Sequence, residues 1–419
     1  MRLTILHTND IHGRQDAIAR IATIVKREKA AATHQVLYLD AGDVEEPANR
    51  LSNLTKGAAM HRLLSLAGCD AATVGNACWF RYGAGILAEH ARASTYPQLL
   101  ANFGGVDGPV PSVLLGDVGV LGLTAPFEDH AADVDWGFER LDILEAARTA
   151  ARDLRARGAE LVVLLSHLGL DVPAEPWDDR RLAPELQGEV DVIVGAHTHD
   201  LLPDGERIGS VLIAQAGEFG EHIGRIEIDG DTIVATVERA PEDTIPDPAI
   251  AAELHAIEAE VDERMSERIG RIDAPLDAPA VAEILRRRMG ADVGLYPDSM
   301  VLAVLPPGEV TRGALWEASE SAANPGVTTM TGEQLLDLLE RGNALAFQAE
   351  SPRALRGRLR GRIHAAGAEI EAGRSYRVAA TDWELEHYGG YALAEWGLQV
   401  RYDFPIIVRE AIEEHLQGR

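Results

Sequence analysis

Between Leu3 and Val194 the chain alternates short apolar runs with stretches whose apolar residues recur at helical spacing. The runs Leu3–Leu6, Val36–Leu39, Ala71–Val74, Leu161–Leu165 and Val190–Val194 are rich in leucine and β-branched residues, which predicts strands. Between them, Asp16–Lys29 (Ile18, Ile21 and Val25 on one face) and Asp142–Arg157 read as helices. Such alternation implies α/β layering around a sheet buried on both faces. Ser112–Leu123 and Ile208–Glu238 read instead as antiparallel hairpins, the latter turning at Asp229-Gly230-Asp231.

The pattern breaks at PEDTIPDP, residues 241–248, which is acidic, proline-rich and aperiodic. An amphipathic helix follows over Ala249–Ile269, so residues 241–270 are expected to be a linker and connecting helix. Helical periodicity near Pro279–Met289 and Gly332–Arg341, with a strand near Ser375–Ala380, predicts a second α/β unit over residues 271–419. The first domain is then residues 1–240.

With 419 residues, two domains are the natural expectation. A net charge of −28 disfavours nucleic acid and anionic membrane as partners, because both need a cationic face. No apolar run reaches the roughly 18 residues of a membrane span. Two cysteines, Cys69 and Cys78, cannot build a disulfide framework. Met1 and Arg2 lead straight into LTILHTND with no leader pattern, so the expected location is the cytoplasm. Only three lysines accompany 36 arginines, a skew that makes arginine abundance no sign of phosphate binding.

The chemistry lies at the carboxyl ends of the predicted strands. LTIL runs into Asp10 and His12, VLYL into Asp40 and Asp43, and AATV into Gly75 and Asn76. LVVLL runs into His167, and VDVIV into His197 and His199. Ligands of open α/β sheets bind just beyond these ends. On extended backbone, residues i and i+2 project to one side, so Asp10 with His12, and His197 with His199, are each expected to converge on one point. Four imidazoles, two carboxylates and an amide oxygen suit manganese, iron, zinc or cobalt, and seven ligands are about right for two ions sharing a carboxylate.

DIH, GD, GN, the SH of LLSHLGL and GAHTH together resemble the five motifs of the calcineurin-like metallophosphoesterases. GADVGLYPDS, PPGEVTRGALWE, VTTMTGEQLLDLLERG and the GGY at 389–391 are similar to the 5′-nucleotidase branch. The resemblance implies a four-layer α/β/β/α sandwich followed by a smaller α/β C-terminal substrate domain. It implies one ion on Asp10, His12, Asp43 and His199, and a second on Asp43, Asn76, His167 and His197, with Asp43 as the bridge. Asn76 would then add an oxygen ligand without adding negative charge. Asp43, Asn76 and His167 carry the catalytic role in this reading, and Asp40 stays outside the ligand set. Such an ion pair activates water and clamps phosphoryl oxygens, which implies hydrolysis of a small, nucleotide-like phosphate ester or anhydride.

Two departures bear on activity. The family pattern continues GNHE or GNHD, whereas here Ala77 follows Asn76 and has no proton to give. Cys78 is one residue late for a replacement, and Trp79 reads as packing. In the C-terminal domain, Leu302 falls where the branch carries a phosphate-gripping arginine, and Tyr388 and Tyr391 are the nearest candidates for substrate contacts, ahead of Asn324. Two functions remain open: a metal-dependent phosphoesterase with altered substrate preference, or a metal- or nucleotide-binding sensor or scaffold.

Overall fold

The computed structural model describes residues 1–126, 135–173, 175–319, 322–344, 362–385 and 396–418. Their packing groups residues 1–126 and 136–259 into one compact unit and residues 260–418 into another. The division falls inside the helix Pro248–Ser266. The proline-rich stretch before that helix is tied to the first unit: Asp247 pairs with Lys26 at 2.8 Å, and its backbone N–H donates to the Ala19 carbonyl at 3.0 Å.

The first unit holds two six-stranded sheets where the periodicity alone suggested one. Five strands position the site: β1 (Arg2–Thr8), β2 (Gln35–Asp40), β3 (Ala71–Thr73), β4 (Leu161–His167) and β5 (Val192–Gly195). β1, β2 and β3 run parallel in the first sheet, and β4 and β5 run parallel in the second. The alternation along β4 shows why both sheets are needed. Val163 and Leu165 point into a core shared with Leu3, Ile5, Leu37 and Leu39 of the first sheet. Val162 and Leu164 point the other way, onto Ala147, Ala151 and Leu154 of the helix Ile143–Ala156 and onto Leu182. On the far side, the helix Gln15–Ala31 covers β2. The order is helix, sheet, sheet, helix. Each large aliphatic side chain withdrawn from water contributes about 1.5–3 kcal/mol, so the interdigitated layer between the sheets fixes their registry.

Ser112–Leu115 and Val118–Thr124 form the expected hairpin, but the latter strand also runs parallel to β4. The hairpin expected over Ile208–Glu238 begins only at His222, pairing His222–Asp229 with Thr232–Arg239. Val211–Ala214, just before it, lies parallel to β5 in the other sheet. The short apolar run there reads alike in either sheet, and only the sandwich decides.

Among the described residues, the second unit is built on a five-stranded sheet that includes Val293–Pro297, Pro325–Thr331 and Ser375–Thr381. The helix Ala278–Arg288 buries Val281, Ala282 and Leu285 in its core. Among the described residues, no helix is long and apolar enough to cross a membrane.

Candidate metal centre

The loops after β1 and β2 continue side by side once the strands end. Asp10 N–H donates to Gly42 O at 2.9 Å, and His12 N–H donates to Asp43 O at 2.8 Å. This zipper sets Asp10, His12 and Asp43 next to one another. Gly42 and Gly75 make the fit possible. A Cβ at Gly42 would stand 2.8 Å from both Gly75 N and His167 Nδ1, and one at Gly75 would be driven into the Asp43 carboxylate. Gly42 also has φ +97°, a conformation that favours glycine.

Asp10, His12, Asp43, His167 and His199 are gathered within a few ångströms. His12 Nε2 lies 3.1 Å from His199 Nε2, 3.6 Å from Asp10 Oδ1 and 3.8 Å from Asp43 Oδ2. His167 Nε2 lies 3.3 Å from Asp43 Oδ2 and 3.2 Å from Asn76 Oδ1, and His197 Nδ1 lies 2.9 Å from the same amide oxygen. All seven residues singled out from the sequence therefore meet at one place. They do not meet in the way that extended backbone would bring them. Asp10, His12, Asp43, His197 and His199 have φ of 50°, 46°, 55°, 72° and 63°, all left-handed. His197 and His199 consequently part: the first turns to Asn76, the second to Asp10 and His12. A left-handed non-glycine residue costs of order 1 kcal/mol, least for Asp and His, and five of them in one cavity mark a functional site.

The protonation pattern shows what the cavity is built to hold. His167 Nδ1 donates to Ala41 O at 2.8 Å. A carbonyl only accepts, so the Nε2 of neutral His167 presents a lone pair. His199 Nδ1 is likewise turned to the Glu218 carboxylate. These Nε2 atoms face carboxylate oxygens: Asp43 Oδ2 for His167, and Asp10 Oδ1, at 3.3 Å, for His199. Asp10 Oδ1 is itself buried without a hydrogen-bond partner. Such converging lone pairs suit a cation between them, and imidazole, carboxylate and amide donors together fit a divalent transition metal. Without one, protons take its place. Burial would lower His12, but Asp10 and Glu46 outweigh it and hold it at about 9. His167, buried likewise, is lifted to about 9 by Asp43. Burial would raise Asp43, yet His167 and His12 draw it down to about 2.

Asp40 stands outside the cluster. Its carboxyl accepts from Thr8 Oγ1 at 2.6 Å and from Gly42 N–H at 3.0 Å, and burial lifts it to about 7, so it braces the turn that carries Asp43. Ala77 turns out to act through its backbone, its N–H donating to Asp43 Oδ1 at 2.7 Å. Cys78 is buried, and desolvation holds its thiol protonated well above the ordinary range. Three supporting residues escaped the sequence reading. Asn9 Nδ2 donates to Asp10 Oδ2 at 2.8 Å, Glu46 lies 3.4 Å from His12 Nδ1, and Glu218 orients His199. Asn9 adjoins a motif residue and could have been suspected. Glu218, 19 residues beyond its partner, carries no signal. In the second unit, Leu302 is partly exposed, and Asn324 is buried, donating to Ile406 O at 2.8 Å. Tyr388 and Tyr391 lie outside the described residues.

Residues 3–201 match the model of the calcineurin-like phosphoesterases, and residues 274–395 match that of the 5′-nucleotidase C-terminal domain. The chain is 25% identical to "Uncharacterized metallophosphoesterase YunD" of Bacillus subtilis, over 99% of this chain and 96% of that protein. It is 25% identical to the trifunctional nucleotide phosphoesterase YfkN of the same organism, over 81% of this chain but only 27% of the much longer relative. A 5′-nucleotidase precursor from Thermus thermophilus has a similar fold, with a TM-score of 0.64, 22% identity and coverage of 100% of this chain and 96% of that one.

Proposed function

We propose that this chain, which carries a calcineurin-like phosphoesterase domain followed by a 5′-nucleotidase C-terminal domain, hydrolyses small, nucleotide-like phosphate esters or anhydrides with acidic leaving groups. The observation that carries the reading is the convergence of the His167 and His199 Nε2 atoms on the buried carboxylates of Asp43 and Asp10. Asp10, His12, Asp43 and His199 would hold one divalent ion, and Asp43, Asn76, His167 and His197 a second, with Asp43 between them. Manganese, zinc, iron or cobalt each suits these donors. When bound, such ions supply Lewis-acid charge neutralisation and an activated water for phosphoryl transfer.

The protein's own contribution is orientation. Glu218 and the Ala41 carbonyl fix the His199 and His167 tautomers, and Asn9 and the Ala77 N–H aim the two carboxylates. Asn76 leaves the phosphate-facing site less negative than a third carboxylate would. The side chain at position 77 gives no proton to a departing oxygen, and the Cys78 thiol is buried with its proton held tightly. Leaving groups that are stable as anions are therefore favoured, and alkyl esters such as nucleoside monophosphates are disfavoured. Steady-state hydrolysis of a panel of aryl phosphates, phosphoanhydrides and nucleoside monophosphates, with and without manganese, tests this reading. The expected order is aryl ester and anhydride above monophosphate.

A further inference from the structure

A second cluster of metal-ligating side chains lies apart from the seven residues above. Glu45 comes from the loop after β2, His61 from the helix Ala58–Leu66 and His90 from the helix Gly85–Ala93. All three are buried, His90 completely. Glu45 Oε1 lies 2.7 Å from His61 Nε2 and 3.1 Å from His90 Nδ1, and the two imidazole centroids are 4.5 Å apart.

The outer nitrogen of each ring is held by the protein. His90 Nε2 donates to Lys56 O at 2.6 Å, and His61 Nδ1 meets Tyr96 Oη at 2.8 Å. Because the Lys56 carbonyl only accepts, the proton of neutral His90 sits on Nε2, and Nδ1 points its lone pair into the cluster. There Nδ1 has no hydrogen-bond partner, although Glu45 is close. The backbone is shaped to the arrangement as well: Lys56 is left-handed at φ 46°, and a Cβ on Gly57 would stand 2.7 Å from Glu45 Cγ and 2.8 Å from His90 Nε2.

We infer that Glu45, His61 and His90 form a third metal site, a buried structural site for zinc or a similar late first-row divalent ion. Two imidazoles and a carboxylate are a zinc ligand set, with His90 oriented by the Lys56 carbonyl and His61 Nδ1 held by Tyr96 Oη and, at 3.2 Å, by Gln98 Nε2. Bond lengths of about 2.0–2.1 Å in tetrahedral geometry place ligand atoms about 3.3 Å apart. The contacts seen, 2.7 and 3.1 Å, are shorter, so the side chains would ease outward by about 0.2–0.6 Å. Such an ion would tie the loop after β2, which also carries Asp43, to two helices.

The test uses the full chain reconstituted with zinc. Elemental analysis should find one zinc equivalent fewer in His90→Gln than in wild type, with the fold verified by circular dichroism. Asp43→Asn should keep that equivalent, which separates this site from the one proposed for catalysis. Crystals of the zinc-loaded wild type should show an anomalous peak at the zinc edge bounded by Glu45, His61 and His90. Equal zinc content in wild type and folded His90→Gln overturns the proposal. If His90→Gln does not fold, the wild-type anomalous map decides alone, and no peak among the three side chains overturns it.

Discussion

The backbone N–H of Ala77 donates to Asp43 Oδ1 at 2.7 Å. Any residue but proline could make that bond, so the loop can aim the shared carboxylate whatever side chain stands at position 77. Orientation of Asp43 and protonation of a leaving group are thus separable here. Ala77→His should leave metal content unchanged and raise kcat/KM for AMP relative to p-nitrophenyl phosphate. The gain is bounded by the about 10²–10⁴-fold worth of a well-placed general acid. The ratio of the two kcat/KM values, variant over wild type, measures it.

Gly75 is the other half of the same contact, since a methyl group there would collide with the Asp43 carboxylate. Gly75→Ala should fold, because the crowding is confined to the loop. It should lose about 10²-fold or more in turnover of an aryl ester, as displacements near 1 Å at a reacting centre do. Circular dichroism and steady-state rates on one preparation check both halves of the expectation.

Asp43 faces His12 at 3.8 Å and His167 at 3.3 Å, whereas His199 faces Asp10 and His12. If two ions are bound as proposed, replacing the carboxylate between the two groups should empty both proposed positions in Asp43→Asn. His199→Ala should weaken chiefly one. Elemental analysis after manganese loading, compared between the two variants, reads this directly.

Asp179, hydrogen-bonded to Ser166 beside His167, supplies a pH signature of its own. Burial, opposed by the 2.5 Å bond from Ser166 Oγ, lifts its carboxyl to about 8, and its Oδ2 is buried without a hydrogen-bond partner. The folded state thus holds a proton that the unfolded chain releases at about 4. Its stabilising effect is full below about 4 and is lost as pH rises toward 8. Asp179→Asn removes that dependence. The melting temperature of the variant minus that of wild type should climb between pH 5 and pH 8, and a flat difference would contradict the assignment.

The fold was legible where periodicity was strong. β1, β2, β4 and the helices Gln15–Ala31 and Ile143–Ala156 lie where their apolar spacing places them. What periodicity could not convey was partnership. Val211–Ala214 is a short apolar run that fits either sheet, and its pairing with β5 depends on the whole sandwich. The seven polar residues could be picked out together because the parallel strands of each sheet end at the same edge, but the geometry that unites them could not. A left-handed φ at Asp10 or His199 leaves no trace in residue type, since Asp and His occupy many conformations. The Glu45–His61–His90 cluster was invisible for a different reason: its members are spread over three elements with no motif spacing.

The proposed reaction is turnover of phosphoesters with the help of metal but without a proton donor at position 77. It is tested most directly by the dependence of rate on leaving-group pKa, measured over aryl and alkyl phosphates at saturating manganese. Chelation should abolish turnover and manganese restore it. Rates should fall steeply as leaving-group pKa rises, with p-nitrophenyl phosphate far ahead of AMP, and Asp43→Asn should be inactive throughout. Two ions bound with no substrate turned over would contradict this proposal and favour a metal-dependent sensor or scaffold. AMP hydrolysed as fast as the aryl ester, with bond cleavage rate-limiting, would contradict it from the other side.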